Sequence, residues 1–183
     1  VHNNTQRLLL LVNQLLDLRK NQTGNLQLRV SNEDLYLFMQ EIYIAFNQIA
    51  DNNRITFNLL SDSTQLDAWF DRSLMEKVVF NLLSNAFKHT VPGDSVTILI
   101  KTYSQEQLEE NFKKEQIENF TELASGYIYI SVEDTGKGIP DVEKKYIFSP
   151  FYQGSTEEVE NVSGTGIGLS LVLSVIKLHK GII

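Results

Sequence analysis

The 183-residue sequence contains no cysteine, no long apolar run and no excess of positive charge. The lack of cysteine excludes disulfides, thiolate chemistry and most zinc sites, and leaves the redox compartment undetermined. No apolar run is longer than five residues, as at Leu8 to Val12, whereas about 20 residues are needed to cross a bilayer. We therefore expect a soluble segment. Because it begins at Val1 without an initiator methionine or a signal peptide, we expect a piece of a longer protein.

The charge balance is acidic, with 23 Asp and Glu residues against 16 Lys and Arg and a formal net charge of -7. This balance disfavours a nucleic-acid or anionic-membrane surface, so no nucleic-acid partner is predicted. A bound polyanion would need backbone amides, a metal ion and one or two lysines rather than a basic face. The hydrophobic fraction of 42% and the ten Phe, seven Tyr and one Trp are enough to fill a core.

Leucine spacing predicts a helix over residues 4–20. One apolar stripe repeats at intervals of three and four residues, at Leu8, Leu11, Leu15 and Leu18, and a second apolar stripe runs beside it. So wide an apolar face favours part of a dimeric helical bundle, and packing on this chain's own domain is the alternative. Gly24 is placed to end this helix.

Downstream, the pattern predicts an α+β fold without the regular alternation of a doubly wound sheet. Strands are predicted at Leu26 to Val30, Ile55 to Leu60, Leu66 to Phe70, Val96 to Tyr103 and Tyr127 to Glu133. Helices are predicted from a capping box at Ser31 and Asp34 to about Ala50, from a cap at Asp71 to about Thr90, and from Ile167 to Lys180. Residues 104–125 are interpreted as a solvated, partly helical insertion, and residues 153–163 as a polar loop.

The helix that follows Asp71 has a polar stripe formed by Lys77, Asn81, Asn85 and Lys88. Asparagine is a poor helix former, so two asparagines on one face invite a functional explanation. An amide oxygen is a suitable ligand for Mg²⁺, and a lysine is a point charge suited to phosphate. A merely solvated helix face is the alternative.

Residues 134–140 (DTGKGIP) directly follow a predicted strand. Asp134 would accept a hydrogen bond from an amino group such as that of adenine, and the adjacent glycines allow a ligand to approach the backbone. An ordinary turn is the alternative. An aspartic protease would need a second Asp-Thr/Ser-Gly motif, and the sequence has none.

Residues 163–170 (SGTGIGLS) place three glycines at the start of a predicted helix. Glycine amides and a helix N-terminus can converge on an anion. A polar loop rather than a strand precedes the glycines, which excludes the Rossmann fingerprint, and the P-loop pattern Gly-x-x-x-x-Gly-Lys-Ser/Thr is absent.

Taken in order, these motifs resemble the ATP-binding domain of sensor histidine kinases, in the superfamily shared with gyrase, heat-shock chaperones and mismatch-repair ATPases. The N box resembles residues 81–90 (NLLSNAFKHT), the first glycine box residues 134–140, the F box residues 147–151 (IFSPF) and the second glycine box residues 164–169 (GTGIGL). Residues 7–20 resemble the end of the second dimerisation helix. The likeness spans nearly the whole chain.

The resemblance implies a role for each matching residue. Asn85 would ligate Mg²⁺, Asn81 and Lys88 would act at the phosphates as catalytic residues, and His89 would border the nucleotide where the family more often has an aromatic. Asp134 would accept from the adenine amine. The remaining nucleotide contacts would come from the two glycine boxes and the F box, at Gly136, Gly138, Ile139, Phe151, Gly164, Thr165, Gly166, Ile167, Gly168 and Leu169.

The resemblance also implies a two-layer α/β sandwich of the Bergerat type, with a mixed sheet covered on one face by three helices. Residues 1–24 would end a dimerisation helix, residues 25–183 would form the ATP-binding domain, and about 149–163 would be its lid. Gyrase-type relatives have a glutamate base at the position of Asn81, so phosphotransfer is expected instead of ATP hydrolysis. No acceptor-histidine motif is present, and the sequence ends before the family's last strands.

The implied function is transfer of the γ-phosphoryl group of Mg²⁺-ATP to a histidine outside this chain. The implied partners are ATP or ADP, a phosphoacceptor histidine domain, a response-regulator receiver and a second copy bound through the N-terminal helix. We expect a cytoplasmic location, with the parent protein either free or anchored in a membrane. The alternatives are an ATPase whose lid clamps a partner and a dimerisation module without nucleotide.

Overall fold

The structure, a computed structural model, describes residues 27–111, 126–154 and 165–183. Its strands are β1 (Ser31–Asp34), β2 (Thr56–Ser61), β3 (Asp67–Phe70), β4 (Ser95–Tyr103) and β5 (Tyr127–Asp134). Its helices are α1 (Leu35–Asn53), α2 (Arg72–His89), α3 (Gln105–Asn111), the single turn α4 (Asp141–Lys144) and α5 (Gly168–Leu178). The helix predicted over residues 4–20 lies outside the described residues.

The five strands form two sheets. In the larger sheet β4 lies between β2, which is parallel to it, and β5, which is antiparallel, so the predicted mixed sheet is confirmed. Strands β1 and β3 pair with each other as a separate antiparallel ribbon. The sequence pattern did not predict this division.

The core lies between the larger sheet and helices α1, α2 and α5. Alternate residues of β4 point into it, and Val96, Ile98 and Ile100 are completely buried. Aromatic rings join the helices to β2, because Phe87 of α2 contacts Phe46 of α1 and Phe57 of β2 at centroid distances of 5.7 and 5.1 Å. The result is the two-layer arrangement that the sequence predicts.

The N-terminus of α2 was predicted correctly. The buried carboxylate of Asp71 caps it by accepting a hydrogen bond from the Leu74 amide at 3.0 Å. Its other oxygen accepts from the Arg29 amide at 2.8 Å. This second contact ties the segment before β1 to the start of α2.

The start of α1 differs from the prediction. Asp34, and not Ser31, is the cap: its Oδ1 accepts from the Tyr36 and Leu37 amides at 2.9 and 3.3 Å. Ser31 instead belongs to β1, where its partner is Phe70 of β3. A polar four-residue segment is extended here because β3 supplies the pairing that its composition does not favour.

The strand predicted at Leu26 to Val30 is wrong for residues 27–30, which have no regular structure, and Leu26 lies outside the described residues. The register explains the error. Strand β3 ends at Phe70, opposite Ser31, and the chain then turns into α2. No β3 backbone is left for Val30 to pair with.

The insertion predicted over residues 104–125 begins with α3, which confirms helical structure in its described part. The Ser104 hydroxyl accepts from the Gln107 amide at 3.2 Å, and Leu108 is buried against the domain. Tyr127 of β5 donates to the Gln105 side chain at 2.7 Å, which fastens α3 to the sheet. Phe112, Ile117 and Phe120 lie outside the described residues.

Candidate functional site

Helix α2 places the polar residues of the N box on one of its faces. Its core-facing side chains are buried, whereas Asn81 and Asn85 are half-buried and Lys88 is exposed. The Asn81 amide nitrogen donates to the Lys77 carbonyl at 2.7 Å, within the helix. Its oxygen therefore faces away from this bond and toward the start of α5.

Gly168 lets α5 begin directly against Asn81. A Cβ atom at position 168 would lie 2.5 Å from the Asn81 Oδ1 atom, so the Asn81 side chain would have to shift. Glycine allows the approach with Asn81 in its present position. The N-terminal turn of α5, where free amides and the helix dipole favour an anion, is thereby fixed beside the N box.

Gly166 joins the second glycine box to the F box. It has a φ of 69°, and a Cβ there would lie 2.6 Å from the carbonyl carbon of Phe151. The Phe151 amide donates to the Gly166 carbonyl at 2.8 Å, and Phe151 itself has a φ of 65°, which non-glycine residues rarely adopt. The predicted lid residues 149–154 thus reach the glycine box, and residues 155–163 and Gly164 lie outside the described residues.

The first glycine box meets the other end of α2. A Cβ on Gly136 would lie 2.2 Å from the His89 carbonyl oxygen, which belongs to the backbone, so this contact requires glycine. The exposed carboxylate of Asp134 accepts from the Gly136 amide at 3.0 Å. Asp134 therefore lies beside the C-terminal end of α2, at the end of β5.

Charges of both signs surround His89. Partial burial lowers the pKa of His89, the positive charges of Lys88 and Lys137 lower it further, and Asp134 acts in the opposite direction. Lys137, between the glycines of the first box, therefore belongs to this group. Sequence reasoning did not assign it a role, although its place in the glycine turn is a signal that could have done so.

The predicted site residues thus form two groups along α2. His89, Asp134 and Gly136 lie together at its C-terminal end, and Asn81, Gly166 and Gly168 lie together two turns earlier. Asn81 and His89 are eight residues apart, which is about 12 Å along a helix. The other predicted residues are exposed at Gly138, Ile139 and Phe151, half-buried at Thr165 and Leu169, and buried at Ile167.

The described residues of this site include one side-chain donor suited to Mg²⁺ in the predicted position, Asn85. In residues 27–111, 126–154 and 165–183, no three His, Cys, Asp or Glu side chains are grouped so as to hold a metal ion. The half-buried Asn85 oxygen, between the two groups of site residues, is a neutral ligand of the kind that Mg²⁺ accepts. A bound phosphate would offer further oxygen ligands of the same kind.

Comparison with known proteins identifies the family. The profile described as "Histidine kinase-, DNA gyrase B-, and HSP90-like ATPase" matches residues 70–183, and this chain belongs to that family. Histidine kinase P4 of Formosa agariphila is 33% identical over 186 residues, which cover 100% of this chain and 12% of that protein. The chain therefore spans about an eighth of the length of this relative.

Solved structures confirm the fold. The nucleotide-free catalytic domain of histidine kinase ThkA superposes with a TM-score of 0.62 at 24% identity, covering 82% of this chain and 83% of that one. The complex of ThkA with the response regulator protein TrrA gives a TM-score of 0.58 at 22% identity, over 83% of this chain and 38% of that one. In the described part of the present chain, no helix is both long enough and apolar enough to cross a membrane.

Proposed function

We propose that residues 25–183 are the ATP-binding catalytic domain of a sensor histidine kinase. This domain transfers the γ-phosphoryl group of Mg²⁺-ATP to a histidine outside the chain, and residues 1–24 end the dimerisation domain. The observation that carries the proposal is the pair of glycine contacts on α2. Gly136 against His89 and Gly168 against Asn81 bring the two glycine boxes to one helix, at two separate points.

The group around Asp134 is suited to adenine. Its carboxylate is exposed at the end of β5 and can accept from an exocyclic amine in addition to the Gly136 amide. Gly138, with a φ of 69° and open space around its Cα, leaves room for a flat ring. This end of the site therefore binds the base.

The group around Gly168 is suited to the phosphates. The first amides of α5 have no partner within the helix and carry partial positive charge. Lys88, exposed on α2 beside His89, is the lysine that the resemblance assigns to the phosphates, where it would add a full charge. These local features bind a polyanion even though the whole chain is acidic.

We assign Asn85 to Mg²⁺, because it lies on α2 between the residues around Asp134 and the residues around Gly168. Asn85 would hold the ion through its side-chain oxygen, and the ion would supply neutralisation of the phosphate charge.

Asn81 determines what the site does with the γ-phosphorus. Its amide donates to the Lys77 carbonyl and cannot take a proton from water, so no general base is present at this position to activate hydrolysis. An imidazole needs no such base. Its unprotonated nitrogen forms the new P–N bond as the bond to the leaving ADP oxygen breaks, and the proton on the other ring nitrogen is then released to solvent. The protein contributes position and charge.

The partners we propose are an acceptor-histidine domain, a response-regulator receiver of the kind seen with ThkA, and a second copy through residues 1–24. The proposed location is the cytoplasm. These assignments rest on the resemblance to sensor histidine kinases and on the family match.

Labelled Mg²⁺-ATP tests the proposal. We expect the chain alone to bind nucleotide but to acquire no acid-labile, base-stable phosphohistidine, because both ring nitrogens of His179 are already in hydrogen bonds and His89 is held at the end of α2. A separate fragment of the parent protein that carries the acceptor histidine should become labelled.

The rival functions predict other results. Sustained phosphate release without any acceptor would favour the partner-clamping ATPase. Failure to bind ATP or ADP in calorimetry with Mg²⁺ present would favour the dimerisation module. Strong self-labelling of one of the three histidines would contradict the proposed division between this chain and its acceptor.

A further inference from the structure

His179, at the end of α5 that is remote from the glycine box, makes two hydrogen bonds through its ring. Its Nε2 atom accepts from the backbone amide of Asp71 at 3.0 Å, across 108 residues of sequence. Its Nδ1 atom lies 2.9 Å from the Val175 carbonyl oxygen. Because a carbonyl oxygen only accepts, Nδ1 must be the donor in this bond. With these two partners, Nε2 is the acceptor and Nδ1 is the donor.

Asp71 is fully engaged at this junction. Its backbone amide donates to His179. Its carboxylate accepts from the amides of Leu74 and Arg29, and its carbonyl accepts from the Met75 amide at 2.8 Å. The residue is only 6% exposed, so water cannot readily replace a lost acceptor. His179 therefore ties the last turn of α5 to the first residues of α2.

Helix α5 is consequently joined to α2 at both of its own ends. His179, at its C-terminal end, meets Asp71 at the start of α2, and Gly168, at its N-terminal end, meets Asn81 in the middle of α2. Between them the α5 side chains Leu171, Val172 and Val175 are buried in the shared core. Because the two helices are closely packed, the junction at His179 also restricts how far α5 can slide or rotate at Gly168.

We propose that His179 is a positioning residue for the part of the site around Gly168 that binds the phosphates. By accepting from the Asp71 amide, it sets the position of α5 along α2 and thereby holds Gly166 and Gly168 against Phe151 and Asn81. The effect on nucleotide affinity rests on the proposed function. The effect on the glycine backbone does not.

Two substitutions separate the hydrogen bond from the space that the ring fills. In His179→Gln the amide oxygen can take the place of Nε2 as acceptor, whereas His179→Leu keeps an apolar stem of similar length and leaves the Asp71 amide unpaired. Ile42→Ala, in the buried face of α1, is a control that lowers stability without touching either junction.

The first measurement is the ¹H–¹⁵N spectrum of the free protein. We expect the amide signals of Gly166 and Gly168 and the side-chain signal of Asn81 to shift in His179→Leu, to return toward wild type in His179→Gln, and to stay in place in Ile42→Ala. A long-range spectrum of the wild-type imidazole should show Nδ1 protonated and Nε2 bare.

The second measurement is ADP affinity with Mg²⁺ by calorimetry, at a temperature where every variant is folded. We expect His179→Leu to weaken binding about fivefold, the equivalent of one net hydrogen bond, and His179→Gln to restore it.

Unmoved glycine signals in His179→Leu, or a proton on Nε2 in the wild type, would overturn the proposal. If His179→Leu does not fold, the wild-type tautomer decides it. Shifted glycine signals in a protein that binds no nucleotide would instead reject the proposed function and leave the positioning role intact.

Discussion

At the scale of single residues, the site depends on glycines, which have no side chain and so allow close contact with α2. Gly136 and Gly168 contact α2 so closely that a methyl group would lie 2.2 Å from the His89 carbonyl oxygen and 2.5 Å from Asn81 Oδ1. The chemistry-bearing residues beside them, Asp134 and Asn81, are positioned by these contacts. Each residue can therefore be tested by itself.

Asp134→Ala should weaken both ATP and ADP about 10- to 100-fold, because one charge-assisted hydrogen bond contributes roughly 1.5 to 3 kcal/mol. The measurement is calorimetric titration with each nucleotide. Glu133→Ala is the matched control, since Glu133 is an exposed carboxylate on the same strand that points to the opposite face of the sheet. Equal affinities for Asp134→Ala and wild type would reject the adenine contact.

Lys137→Gln should raise the pKa of His89, because the positive charge of Lys137 is one of the causes that lower it. The imidazole signals of His89 in NMR spectra recorded across pH give the value directly. Lys101→Gln removes an equal charge from β4, away from the site, and should leave His89 unchanged. An unaltered His89 titration in Lys137→Gln would separate Lys137 from the site.

The sign of the pH effect on stability follows from the same shift. The pKa of His89 is lower in the folded state than the ordinary value of about 6.5, so the unfolded chain binds the proton more readily. The contribution of His89 to stability is complete above that ordinary value. It is lost as the pH falls through the lowered pKa of the folded state.

At the scale of elements, α2 sets the distance between the two groups of site residues. Its cap at Asp71, its buried face and its polar stripe were all evident in the sequence, because each is a local pattern of three to four residues. What the sequence could not supply is where α5 and the turn after β5 meet the helix. Those contacts join residues 47 or more positions apart and depend on the packed core.

The same distinction explains the errors. Ser31 and Asp34 have the spacing of a capping box, but the pairing of Ser31 with Phe70 places the serine in a strand and leaves the cap to Asp34. The alternation at Leu28 and Val30 looks like a strand, yet β3 ends before it can pair with these residues. In both cases tertiary pairing overrides a local pattern.

The polar stripe of α2 predicts a specific metal effect. Asn85→Ala should abolish the increase in ADP affinity that Mg²⁺ produces and leave the weaker, metal-independent binding, because Asn85 offers the oxygen ligand on this face. Titrations with and without Mg²⁺ measure the difference. Asn47→Ala, a half-buried helical asparagine on α1, is the control, and a full Mg²⁺ effect in Asn85→Ala would place the ion elsewhere.

At the scale of the whole molecule, the fold separates the site from the β1–β3 ribbon. The three-stranded sheet, α2 and α5 bring the boxes together, while the ribbon lies next to the N-terminal end of α2, where Arg29 and Asp71 are hydrogen-bonded. A nucleotide bound as we propose would touch the first part and leave the ribbon untouched. This asymmetry can be measured residue by residue.

The most direct test of the account is therefore a titration of the ¹⁵N-labelled protein with Mg²⁺-ADP, followed by amide spectra. We predict that the amides of Gly136, Gly138, Gly166 and Gly168 and the side-chain signals of Asn81 and Asn85 shift together with one dissociation constant. The amides of residues 31–34 and 67–70 should not move. Unchanged glycine signals at saturating nucleotide, or shifts centred on the β1–β3 ribbon, would contradict the proposed site.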